Sequence, residues 1–157
     1  MVLGICVGFV LGVVVTALGI AGMMRRRMLV VSPSPLATVE ATVAAIEQGI
    51  AAAEGWSSPG VRDLNGMMAK HGVTFTPKVR LVEMCKARYA AEVLQDDRRV
   101  ATLMPCALAV YEDDAGKVWM SRMNLGLMAK LFGGTVARVM GGGVAPEEHR
   151  ILGSLRG

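Results

Sequence analysis

Aromatic residues are scarce in this chain, at 4%, and only two of its 157 residues are histidine. Nucleic-acid modules need a basic stripe with interleaved aromatics, so this scarcity argues against that class of partner. Neither His71 nor His149 stands in a motif beside a serine nucleophile or a second metal ligand. Serine chemistry therefore has no base. The paired acids Asp96-Asp97 and Asp113-Asp114 fall in turns, where solvated charge is the default. Gly141, Gly142 and Gly143 are followed by no Lys-Ser/Thr, which removes the phosphate-loop reading and leaves a flexible connector into a last helix. Three cysteines form no disulfide framework, which fits a reducing compartment.

Charge is missing altogether from residues 2–24. At about 1.5 Å per residue an apolar run of that length crosses a hydrocarbon core of roughly 30 Å, so it is expected to be a transmembrane anchor. Arg25, Arg26 and Arg27 follow as a basic collar and supply three of the four net positive charges. The positive-inside rule then puts residues 28–157 on the cytoplasmic side of a single-pass protein, with the lipid bilayer as its first partner. No basic side chain precedes the run, so it does not read as a cleaved leader. Gly4, Gly8, Gly12 and Thr16 make a small-residue stripe on this helix, the expected contact for a homodimer or a membrane-complex partner.

The remaining 130 residues suffice for one domain. A short strand, residues 28–31, precedes Ser-Pro-Ser-Pro, with Ser34 as N-cap of an amphipathic helix. Leu36, Val39, Val43, Ile46, Ile50 and Ala53 form its apolar stripe, and it ends by Gly55. The spacing predicts a short edge strand over residues 61–64 and a brief helix capped by Asn65. The organising stretch is residues 78–123: strand, helix, strand, hairpin on Asp-Asp-Ala-Gly, strand. Asn124 caps a further helix, and a last one runs over residues 146–155. The expected fold is thus α+β: an N-terminal transmembrane helix, then a compact two-layer domain with helices on one face of a mainly antiparallel sheet.

Period-two alternation places Val79, Leu81, Glu83 and Cys85 on one face of their strand, and Met104, Cys106, Leu108 and Val110 together on the next. Cys85, Cys106 and Glu83 are expected to converge on the inner side of the sheet. Three readings of that convergence stand. Both cysteines are buried apolar thiols. Alternatively they are soft ligands, with Met84, Met104 or Met120, for Cu(I), zinc or a haem iron. In the third reading they carry thiol chemistry with Glu83 as proton acceptor.

The phrases VEMCKARYAAEVLQDD, MPCALAVYEDDAGKVWMSRMN and LMAKLFGG resemble the domain-of-unknown-function 302 family in its membrane-anchored branch. The resemblance spans residues 28–155 and is specific between Glu83 and Gly134. It implies a compact, often dimeric α+β domain, with Glu83, Cys85, Pro105, Cys106, Tyr111 and Glu112 as motif positions. Lys86-Ala87 stands where many relatives have Asn-Pro, so a pocket shaped by that dipeptide would differ here. No catalytic role transfers. A binding or sensing module is the expected function, with a thiol-dependent redox or sulfur-transfer protein, or a structural membrane subunit, as alternatives.

Overall fold

The computed structural model describes residues 2–155, leaving aside the side chains of residues 2–10 and 23–25. Helix α1 (Val2–Arg27) forms where the apolar run predicts it. Among the described residues, however, no helix is long and apolar enough to cross a membrane. The expected transmembrane anchor, the single-pass placement and the cytoplasmic assignment built on it are overturned. The helix contact expected at Gly4 and Gly8 lies outside the described residues. Thr16 is exposed, and a Cβ on Gly12 would meet no atom within 4 Å.

The domain follows as predicted in kind. Strand β1 (Leu29–Pro33) leads to α2 (Val39–Ala52), whose Val39, Val43, Ile46 and Ile50 are buried as the stripe requires. Its cap is Thr38 rather than Ser34, with Thr38 Oγ1 accepting from the Ala41 amide at 3.1 Å. Ser34 Oγ accepts from the Leu36 amide and lies 2.8 Å from Thr42 Oγ1, so it closes the Ser-Pro turn. Strands β2 (Trp56–Ser57) and β3 (Val61–Asp63) lead into α3 (Leu64–Ala69), capped by Asp63. Asn65, expected as that cap, instead holds the following loop: its amide donates to the Phe75 and Pro77 carbonyls and its oxygen accepts from the Val79 amide.

Strand β4 (Val79–Lys86) runs into α4 (Ala87–Asp96) and a 3-10 turn (Arg98–Leu103), then β5 (Cys106–Glu112) and β6 (Val118–Met123). Asp113 Oδ1 accepts from the Ala115 and Lys117 amides, and Gly116 supplies the positive φ of the β5–β6 turn. Helix α5 (Leu125–Phe132) is capped by Asn124 as expected. Helix α6 (Gly134–Ala137) continues through a π-helix (Arg138–Val144) into α7 (Ala145–Ile151), and a 3-10 turn (Gly153–Leu155) ends the described chain. The triple glycine is helical, not a flexible connector.

The sheet is antiparallel throughout, in the order β1-β6-β5-β4-β2, with β3 also on β4. Its inner face carries Val82, Met84, Leu108, Val110, Val118 and Met120, all buried in one core with α2 and the C-terminal helices. The register decides the cysteines. Met84 lies opposite Cys106, and residues opposed across a ladder share a face. Cys85, one residue on, points the other way with Glu83. The expected convergence fails by one residue of register, and with it the paired-cysteine site.

Candidate functional site

Each sequence-predicted site residue has a separate structural place. Glu83 is buried on the outer face and ion-paired to Arg62 at 2.5 Å. Cys85 and Cys106 are both half-buried free thiols. Burial, then the charge of Glu148, then Cys85, pushes the Cys106 thiol up to about 11. Cys106 borders a cavity of about 30 Å³ that Cys85 also borders, together with Met84, Val93, Met104 and Met140. Its surroundings are apolar rather than those of an activated nucleophile. Among the described residues no group of three His, Cys, Asp or Glu side chains could hold a metal ion. The zinc reading therefore lacks a third ligand of these kinds among the described residues, and the two thiols leave their strands on opposite faces.

Polar side chains converge elsewhere, at the end of β4. The ladder between β4 and its outer neighbours slips there: Val61 opposes Val82, but Ser57 opposes Cys85. Residues 58–60 thus face only Glu83 and Met84, which is a bulge. Ser58-Pro59-Gly60 suits it, because Pro59 has no amide to contribute and Gly60 contributes its carbonyl to the Glu83 amide. The extra residue exchanges faces. Trp56 now opposes Lys86 and turns inward, where it is 8% exposed, and Ser57 turns out.

Lys86 is both the last residue of β4 and the N-cap position of α4, and its side chain makes no cap bond. Its Nζ lies 5.0 Å from the centroid of the Tyr89 ring, one turn into α4. Tyr89 meets Trp56 edge-to-face, with centroids 6.4 Å apart. Three elements thereby hold an indole N–H, an ammonium and a phenol together.

All three donate to one carboxylate. Trp56 Nε1 and Lys86 Nζ reach Glu147 Oε2 at 2.6 and 2.8 Å, and the Tyr89 hydroxyl reaches Oε1 at 2.7 Å. Burial alone would raise the Glu147 pKa. The bonds from Lys86, Tyr89 and Trp56 outweigh it and hold the carboxyl at about 2. The same bond pushes the Tyr89 phenol up, because a donor to a carboxylate resists losing its proton. Glu147 sits in the first turn of α7, just after Pro146. Its neighbour Glu148 turns the other way, 3% exposed, and takes Arg122 Nη1 of β6 at 2.5 Å. This pair of acids ties α7 to two places at once.

Glu147 borders an open cleft of about 460 Å³, also bordered by Gly49, Ala53, Glu54, Lys86 and Arg150. The backbone is close-fitted around it. A Cβ on Gly49 would stand 2.5 Å from the Ile151 carbonyl oxygen, and one on Gly143 2.8 Å from Tyr89 Cζ. Gly143 thus lets the π-helix lie against the phenol that reaches Glu147. A π-helix next to polar side chains is a recurrent feature of functional sites.

Sequence reasoning missed Trp56, Tyr89 and Glu147. They are scattered over positions 56–147 and share no spacing, so only the fold brings them together. Lys86 alone carried a signal, as the departure from the pattern of the resembling family.

Residues 30–144 match the family described as domain of unknown function DUF302. The chain belongs to the DUF302 family. A crystal structure of an uncharacterized conserved DUF302 protein from Bacillus stearothermophilus superposes with a TM-score of 0.70 at 16% identity, covering 82% of this chain and 98% of that one. At that identity the likeness shows the shared fold. No curated protein matches. Neither comparison supports a membrane-anchored branch. Trp56, Lys86 and Tyr89 lie within the family match, and Glu147 lies just beyond it.

Proposed function

We propose that this DUF302 domain is a binding or sensing module whose small polar ligand enters the cleft beside Glu147. The observation that carries this reading is the meeting of Trp56, Lys86 and Tyr89 at one carboxylate on an open cleft. Ligand sites combine a concave surface with a few convergent polar groups and a displaced pKa, and this place has all three. Turnover is less well supported. Glu147 is held at about 2 and the Tyr89 phenol is raised, both away from the neutrality that a general acid or base needs. The raised Cys106 thiol likewise disfavours redox or sulfur-transfer chemistry.

The test follows the two indole N–H resonances of the ¹⁵N-labelled protein through a screen of small carboxylates, amines and amides. A ligand of the cleft shifts the Trp56 signal saturably and leaves Trp119, which donates to Asp113 in the β5–β6 turn, unmoved. Lys86→Ala should abolish the response. A screen in which no compound moves Trp56 would dismiss the reading.

A further inference from the structure

Resting on that reading, we propose that the ligand is a carboxylate, and that Glu147 occupies its place in the free protein as a displaceable internal stand-in.

The donor set and its acceptor come from separate parts of the chain. Trp56, Lys86 and Tyr89 are contributed by β2, β4 and α4, and they brace one another through the edge-to-face ring contact and the ammonium over the phenol. Neither of those two contacts involves Glu147. The three form a cradle of donors, and the group that fits it is a carboxylate, which accepts on both oxygens. Glu147 supplies that group from α7, after the π-helix, and its side chain keeps 18% of its surface exposed at the cleft. A rotamer change would swing it into the open volume without moving the cradle. Arg150 adds a second cation. Its guanidinium lies 3.9 Å from Glu147 Oε1, beyond hydrogen-bond reach, and its side chain is 75% exposed at the cleft.

The charge balance favours exchange over addition. With Glu147 in place, Lys86 is neutralised and a second carboxylate would meet a like charge. With Glu147 swung out, Lys86 and Arg150 face the incoming anion. Glu54, also at the cleft, then limits it to a single carboxylate rather than a diacid. An internal competitor lowers apparent affinity by the fraction of molecules in which it is seated. Weakening the competitor must therefore tighten binding, a sign opposite to that expected of an ordinary contact residue.

Benzoate, benzamide and benzylamine are suitable probes, read on the Trp56 indole resonance with calorimetry for affinity. Benzoate is expected to bind the native protein weakly and Glu147→Gln at least ten-fold more tightly. Benzamide should gain nothing, and Lys86→Met should lose benzoate. Glu147→Asp, which keeps the charge but withdraws it by one methylene, should also tighten benzoate, so the result does not hang on one variant. Unchanged or weaker benzoate binding in both Glu147 variants would overturn the displacement. Benzylamine binding that is lost in Glu147→Gln would overturn it too, while leaving the cleft a binding site with Glu147 as its contact. Silence of all three probes in every variant would count against both proposals.

Discussion

Three side chains that the sequence scatters from position 56 to position 89 meet at the carboxylate of Glu147, and that carboxylate gives the molecule a pH dependence. Glu147 is held at about 2 against an ordinary value of 4.5. A lowered folded-state pKa means that the unfolded chain takes up the proton first on acidification. The stabilisation is complete above pH 4.5 and is lost as pH falls toward 2. Thermal midpoints measured between pH 6 and 2.5 should drop more steeply for the native protein than for Glu147→Gln; parallel curves would contradict the cradle. Cys106 behaves oppositely. With its thiol pushed up to about 11, its thiolate at pH 8 is about a thousandth of the population, so iodoacetamide should modify it roughly two orders of magnitude more slowly than in the urea-unfolded chain. Equal rates, followed by peptide mass analysis, would show an activated thiol instead. At this scale the sequence was legible in part. Alternation gave the correct face partners for Cys85 and for Cys106 separately, but it carries no information on how two strands register. A single residue of offset, Met84 rather than Cys85 opposite Cys106, moved the pair to opposite faces.

At the scale of elements, the turns and helices were legible wherever a local hydrogen bond or an apolar stripe defines them. The buried stripe of α2, the Asn124 cap and the β5–β6 turn are of that kind. The glycines were not, because their meaning lies in what passes close to them. Gly49 and Gly143 touch partners about a hundred and about fifty positions away along the chain. Gly49→Ala would drive a methyl group into the Ile151 carbonyl oxygen, a backbone atom that cannot turn aside. It should cost about 1–3 kcal/mol in urea unfolding, as overpacking does. Gly143→Ala meets a ring instead, so it should shift Tyr89 off Glu147 and weaken the bond between them. Gly142 has nothing within 4 Å of a built Cβ. Gly142→Ala should be neutral, or stabilising by up to about 1 kcal/mol through helix propensity. Similar losses at positions 142 and 143 would mean that the triple glycine serves the π-helical backbone itself rather than the approach to Tyr89.

The whole molecule is one antiparallel sheet covered by helices on its inner face, and α7 is the helix that connects this architecture to the cleft. Pattern reasoning reached the α+β class and the covering helices, since both follow from alternation and apolar stripes. It could not reach the bulge before β4 or the split of Glu147 from Glu148, which depend on tertiary partners. That split sets a final expectation. Glu147 faces the cradle, whereas Glu148, 3% exposed, is bound to Arg122, whose side chain is only 17% exposed, on β6. Buried ion pairs add little net stability, yet removing one partner takes away much of what compensates the other's buried charge, at a cost of up to about 3–5 kcal/mol. Arg122→Met should therefore lose roughly 3 kcal/mol in urea unfolding. It should also loosen α7, so that its amides exchange faster than those of β4 and β5. Arg122→Met combined with Glu148→Met should recover most of the loss, because the buried charge is gone and apolar volume replaces it. A double variant as unstable as the single one would show that the pair holds α7 by a specific geometry that packing cannot replace, and the cleft would then owe its shape to β6 as well as to β4.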